Sequence, residues 1–196
     1  MRHNATKHVF TYWRRLCGKA TAPARQALNP VDLGRHLADI LLLERAADGT
    51  VVVRIAGSRV CALFGRELRG VPLADLFIPL ATDDLAEMLS TVTTDCLPVI
   101  GGISALLGGR LTVEAELLLM PLVHNGSTEE RIFAVLSLST EERIAEGSCY
   151  GFDILTFRVL TDETTRFLHP ADPILPFGTR VRERRGHLTV LDGGRS

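Results

Sequence analysis

Disulfide patterns, an excess of either charge and long apolar runs are all missing from this chain. Its 196 residues include four cysteines, scattered at positions 17, 61, 96 and 149, which predict neither a disulfide framework nor the close ligand pairs of a zinc site. Lys and Arg number 22 against 23 Asp and Glu, so no global basic field attracts nucleic acid. These absences argue against disulfide-rich secreted proteins, structural zinc proteins and nucleic-acid-binding proteins.

Membrane segments and a signal peptide are absent as well. No stretch approaches the roughly 20 uninterrupted apolar residues that cross a bilayer, and the first residues lack an apolar run with a cleavage site. The apolar fraction of 46% still excludes wholesale disorder. We expect a soluble cytoplasmic protein with reduced thiols and no membrane partner, long enough for one domain with extensions.

The motifs of common enzymes are missing too. The sequence contains no Gly-x-Ser-x-Gly elbow, no Gly-x-x-x-x-Gly-Lys phosphate loop and no His-Glu-x-x-His zinc motif. His36 and His124 stand in patterns that do not indicate an axial heme ligand. We therefore predict a non-enzymatic protein with no catalytic residues and no metal site.

Local signals predict several helices. Apolar residues at helical spacing predict a helix over 8–17, and small residues at 20–24 predict a linker after it. Asn29, which is followed by proline, predicts the cap of a short helix. Ser58 and Thr82 are predicted caps of a helical turn and of a longer amphipathic helix.

Runs of β-prone residues bounded by turn signals predict an antiparallel sheet. The predicted strands lie at 40–45, 51–56, 99–105, 111–123 and 131–138, with further candidates at 153–160 and 187–191. The strand at 111–123 has one face that is apolar throughout and another that becomes apolar only late, so we expect a half-exposed strand. A sheet with helices inserted in its middle is an α+β layout.

In addition to this order of elements, three stretches of the sequence are distinctive. They are Tyr12-Trp13 in the leading helix, the run AGSRVCALFGRELRG at 56–70, and HLTVLDGG at 187–194. The strand order resembles the PAS fold. The stretches themselves resemble a group of compact, mostly stand-alone PAS-like proteins of alphaproteobacteria. The resemblance covers nearly the whole chain, and the run at 56–70 is its most specific part.

The resemblance implies an α+β fold with an antiparallel sheet of about five strands and short helices inserted after the second strand. It divides the chain into an N-terminal helix and linker at 1–24, a PAS-like domain at 25–140 and a C-terminal extension at 141–196. It also implies sensing, either by small-molecule binding or by contacts with a regulatory partner protein, with signals passed through dimer interfaces. The cofactor, the ligand and the partner are not specified.

A ligand pocket in this fold would lie between the sheet and the short helices. The residues implied there are Arg59, Cys61, Phe64, Arg66 and Glu67. Cys61 stands near the flavin-reactive cysteine of light-sensing relatives, but its neighbours differ from their Asn-Cys-Arg-Phe-Leu-Gln pattern, so we expect a small buried hydrophobe. The two arginines and Glu67 are interpreted either as contacts to an anionic ligand or as a structural ion pair. Heme, flavin and metal cofactors are not expected.

The leading helix carries an apolar stripe with no local partner before the linker. The stripe consists of Val9, Tyr12, Trp13 and Leu16. We predict that it forms a homodimer interface, with burial against the chain's own sheet as the competing explanation.

Other functions remain open at this point. The first alternative is an interaction module without a ligand, whose core is filled by its own side chains. A second is a cyclic-dinucleotide or other nucleotide-binding regulator, because of the basic run at 180–185. That reading lacks the serine expected near Asp192-Gly193-Gly194, and solvated charges explain the run as well.

Overall fold

The computed structural model describes residues 1–108, 112–139 and 145–161. Its helices are α1 (Asn4–Cys17), α2 (Pro30–Leu33), α3 (Ser58–Phe64) and α4 (Thr82–Thr93). Its strands are β1 (Ile40–Arg45), β2 (Val51–Ala56), β3 (Val99–Leu107), β4 (Thr112–His124), β5 (Ser127–Leu138) and β6 (Cys149–Val159). Short 3₁₀ turns lie at Arg25–Ala27, Gly34–Asp39, Leu73–Leu76 and Pro79–Ala81. The predicted strand at 187–191 and the basic run at 180–185 lie outside the described residues.

The described strands form one antiparallel sheet in the order β2-β1-β5-β4-β3-β6. The predicted α+β class, with short helices after the second strand and a helix at the N-terminus, is confirmed. β6 adds a strand to the expected five or so, because it pairs with β3 through contacts such as Gly101 with Phe157. The sheet therefore continues past residue 140, where the sequence predicted the start of an extension.

Each face of the sheet has its own hydrophobic core. On one face α3, α4 and the 3₁₀ turns Leu73–Leu76 and Pro79–Ala81 pack against residues such as Leu43, Leu117 and Leu119. On the other face α1 packs against residues such as Leu118 and Met120. Alternate residues of one strand therefore enter different cores, as the pleat of a strand requires.

β4 differs from the half-exposed strand that its sequence predicts. The strand is buried without interruption from Ala115 to Leu122. The reason is α1, which covers the second face, so that side chains on both sides of the strand are removed from water. One acidic side chain, Glu116, is enclosed in this way and is only 3% exposed.

Polar contacts attach α1 to the sheet. The carboxylate of Glu116 accepts hydrogen bonds from the backbone N–H groups of Arg2 at 2.7 Å and His3 at 3.1 Å, just before the first turn of the helix. The hydroxyl of Thr6 donates to Ser137 Oγ at 2.9 Å, and the indole Nε1 of Trp13 donates to the carbonyl oxygen of Pro121 at 3.0 Å. These bonds join residues more than 100 positions apart, so α1 belongs to the same packed unit as the sheet.

Two of the three predicted caps are wrong. Asn29 caps α2 as expected, since its Oδ1 accepts from Val31 N at 3.1 Å. Ser58 and Thr82 are instead the first residues inside their helices, and neither helix has a side-chain cap. The Thr82 hydroxyl donates to the carbonyl oxygen of Pro79 at 2.7 Å. The preceding 3₁₀ turn thus engages the Thr82 hydroxyl. The predicted start of α1 is also wrong, since the helix begins at Asn4 and not at residue 8.

Removing the buried carboxylate tests the docking of α1. We expect Glu116→Ala to lower the free energy of unfolding by about 2 to 3 kcal/mol, because two part-buried N–H groups lose a charged acceptor. Urea denaturation measures the change. Glu114→Ala is the matched control, since Glu114 lies on the same face of β4 with a side chain that is 71% exposed, and it should change stability by less than about 0.5 kcal/mol. Equal losses in the two variants would contradict the role given to Glu116.

Candidate functional site

The predicted ligand residues lie on α3 and in the segment that follows it. Glycines let the backbone approach its neighbours closely at both ends of this helix. A Cβ on Gly57 would lie 2.3 Å from the carbonyl oxygen of Ala38, and a Cβ on Gly65 would lie 2.8 Å from Gly147 Cα. Gly65 also has φ of +62°, which glycine adopts without strain. α3 is therefore held between the Gly34–Asp39 turn and the chain that leads into β6.

Arg59 ties α3 to the Gly34–Asp39 turn. Its Nε donates to Asp39 Oδ1 at 2.6 Å, and its Nη2 donates to Asp39 Oδ2 and to the carbonyl oxygen of Arg35. The hydrogen bond with Asp39 raises the pKa of Arg59 above its ordinary value. Arg59 thus forms a bidentate ion pair with Asp39, and its guanidinium has a partner within the chain. A structural ion pair was one of the two roles that the sequence analysis considered for this arginine.

Cys61 and Phe64 are both partly buried. Burial raises the pKa of the Cys61 thiol above its ordinary value, so the protonated form is favoured at neutral pH. The ring of Phe64 meets the ring of Phe152 edge-on, with the centroids 5.4 Å apart. Phe64 thus packs α3 against β6, and Cys61 has the environment of a packing residue more than that of an activated thiol.

Arg66 and Glu67 follow α3 and are both exposed. The Glu67 carboxylate accepts a hydrogen bond from Leu68 N at 3.1 Å and lies 3.6 Å from Cys61 Sγ. The structure thus brings Cys61 and Glu67 together. Arg59 instead contacts the turn before β1, and Phe64 contacts β6, so the predicted residues face different neighbours.

The space between the sheet and the short helices is occupied by apolar side chains of the chain itself. Leu68, Leu73, Leu76 and Met88 lie there and are each at most 1% exposed. Met88 reaches the sheet, because its Cε lies only 3.0 Å from the position of a Cβ on Gly101. A close-packed interior of this kind is typical of a hydrophobic core.

A family model described as PAS domain matches residues 1–137, which include α1 and β1 to β5 except for the last residue of β5. The chain belongs to the PAS domain family. No curated protein matches it. PAS domains are typically sensory or regulatory modules rather than catalysts, so the family agrees with the absence of enzyme motifs in the sequence.

The apolar stripe of α1 is packed inside its own PAS domain. Val9, Tyr12 and Trp13 are buried against the sheet, and Leu16 is partly buried in the same cluster. This is the competing explanation that the sequence left open. These side chains therefore have an intramolecular partner, which lies in the distant strands β4 and β5 and not in the segment before the linker.

The structure shows few groups suited to cofactors. In the three described ranges, no cluster of three or more His, Cys, Asp or Glu side chains is arranged to hold a metal ion. His36 is buried and stacks on His8, while His124 is the last residue of β4. No helix within the described part of the chain is long and apolar enough to cross a membrane.

A polar groove of about 480 Å³ was missed by the sequence analysis. It is lined by Glu44, Arg45, Ala46, Ala47, His124, Asn125, Ser127, Glu130 and Arg131. Glu44 pairs with Arg54 at 2.7 Å and with Arg131 at 2.9 Å, and the hydrogen bond from Arg54 is the main cause of its lowered pKa. The β1–β5 register sets Glu44 opposite Arg131 and so brings two distant parts of the chain together at the groove. No single stretch of the sequence therefore predicts it.

A double-mutant cycle tests the structural role of Arg59. Arg59→Met, Asp39→Asn and the double variant should show a coupling energy of about 0.5 to 1 kcal/mol in urea denaturation, a modest value because the Arg59 side chain is 56% exposed. Arg66→Met removes an exposed arginine close by and should change stability by less than about 0.5 kcal/mol. A coupling energy of zero would show that the pair does not hold α3.

Proposed function

We propose that this PAS domain regulates a partner protein through surface contacts, with a core filled by its own side chains. The observation that carries the proposal is the packing of Leu68, Leu73, Leu76 and Met88 in the space where a PAS ligand would lie. Arg59 supports it too, since Asp39 and the carbonyl oxygen of Arg35 engage the group best suited to recognise an anion. The ligand-free interaction module thus fits the geometry better than a small-molecule sensor.

The alternatives need features that the described residues do not supply. A small-molecule sensor would have to move Met88 or its neighbours away from β3, since Met88 already lies against Gly101. The nucleotide-binding alternative rests on the basic run at 180–185, outside the described residues. The narrower resemblance to stand-alone alphaproteobacterial proteins and a cytoplasmic location stay predictions.

Homodimerisation also stays a prediction. Its interface would have to lie away from the α1 stripe, because Val9, Tyr12 and Trp13 already fill the core behind the sheet. Trp13→Glu should therefore unfold the domain rather than merely separate two copies, since it would place a charge in a site that is 1% exposed.

Native mass spectrometry of freshly purified protein tests the proposed function. We expect the mass per chain to be the same under native and denaturing conditions, because no ligand fills the core. Met88→Ala is the matched variant: it removes the side chain nearest Gly101 and should cost about 2 to 5 kcal/mol of stability. Small apolar molecules should then raise the melting temperature of the variant and leave that of the wild type unchanged.

Two results would contradict the proposal. One is a native mass that exceeds the chain mass by a small molecule that is lost on denaturation. The other is a wild-type protein that apolar molecules stabilise as strongly as they stabilise Met88→Ala, because that would show a cavity already present in the core.

A further inference from the structure

Two histidines from different elements meet where α1 crosses the Gly34–Asp39 turn. The rings of His8, on α1, and His36, in the turn, have centroids 4.8 Å apart and are tilted by 35°. His36 is 9% exposed. The Nε2 of His8 also lies 3.4 Å from the carbonyl oxygen of Asp32, in α2. Both rings therefore belong to the contact that joins α1 to the segment before β1.

The charges around His36 come from every element packed against it. Arg35 and Asp39 flank it in its own turn, His8 faces it from α1, and Arg59 approaches from α3. Burial is the main cause that lowers the pKa of His36 below its ordinary value of 6.5, and His8 lowers the pKa further. Asp39 acts in the opposite direction, but Arg59 already pairs with its carboxylate. On α2, Asp32 carries a further charge and pairs with Arg15 of α1.

We propose that His36, packed against His8, forms a proton-operated contact that holds the His8 segment of α1 against the Gly34–Asp39 turn when the His36 ring is neutral and loosens it when that ring is charged. A charge on the His36 ring is disfavoured by the neighbouring His8, which acts to lower the pKa of His36. A charged ring at the buried position of His36 also loses its hydration. The inference goes beyond the proposed function and does not depend on it.

The direction of the pH dependence follows from the pKa of His36. Its pKa is lower in the folded protein than in the open state, so the closed contact binds fewer protons. The stabilisation is fully present above the ordinary histidine value of about 6.5 and is lost as the pH falls through the lower value of the folded state. Acidification therefore favours the open contact.

The release is expected to be local. Contacts on both sides of His8 keep the rest of α1 docked. Glu116 holds the residues just before the helix, Thr6 bonds to Ser137, and Trp13 bonds to Pro121. Thr6 and Trp13 do not titrate in this pH range. Charge on His36 would act next on Asp39 and Arg59, and therefore on α3.

Hydrogen exchange and the single tryptophan of the chain supply the test. Trp13 lies on α1 and is 1% exposed, so its fluorescence reports whether the helix stays docked. Between about pH 7.5 and about pH 5, we expect its emission to stay unchanged, because the bond to Pro121 keeps this part of α1 docked. Amides of α1 around His8 and amides of the Gly34–Asp39 turn should exchange severalfold faster at the lower pH, after correction for intrinsic rates. Far-ultraviolet circular dichroism should change little.

His8→Gln and His36→Gln are the test variants, and His124→Gln is the matched control at the far end of β4. We expect His8→Gln to lose most of the pH-dependent increase in hydrogen exchange, and His124→Gln to behave like the wild type. His36→Gln should behave like His8→Gln, and if it fails to fold, His8→Gln alone decides. An unchanged response in His8→Gln would overturn the proposal. So would a wild type without any response, or one that unfolds as a whole over the same pH range.

Discussion

Burial of both faces of one antiparallel sheet is the constraint on which the rest of this structure depends. Residues 117–120 of β4 are all at most 2% exposed, although successive side chains of a strand point to opposite faces. Such a strand needs a covering layer on each side. α4 and the short helices supply one layer and α1 supplies the other, so the N-terminal helix is as much a part of the fold as the sheet.

Elements governed by neighbouring residues could be predicted from the sequence. The bounds of β1 and β2 were predicted to the residue, because an Asp-Gly turn sets their hairpin, and Asn29 caps α2 through a bond to an amide two residues away. The pairing of β3 with β6 and the docking of α1 on β4 could not be predicted in this way. Both contacts join segments that are far apart in the chain. They depend on the fit between two surfaces, which no short sequence pattern describes.

In the candidate site, too, features set by neighbouring residues could be predicted and features set by distant contacts could not. The run at 56–70 was recognised as distinctive, but the sequence does not show why it contains glycines: Gly57 lies against Ala38, and Gly65 lies against Gly147. The residue types of Arg59 and Glu67 suit either an anionic ligand or an ion pair, and sequence cannot separate these uses. Only the position of Asp39, fixed by the turn before β1, decides that Arg59 has a partner in the chain.

Three contacts connect α1, the Gly34–Asp39 turn, α3 and the segment before β6. His8 of α1 meets His36, the same turn holds Asp39 against Arg59, and the helix of Arg59 ends where Gly147 N donates to Ala62 O at 2.8 Å. Each step is a direct contact or a shared turn, so α1, the Gly34–Asp39 turn, α3 and the start of β6 are joined in one continuous set of contacts. In the ligand-free function that we propose, a signal is passed through contacts between elements. The contacts from α1 to α3 are one such set, because they involve the turn before β1 and the surface of α3.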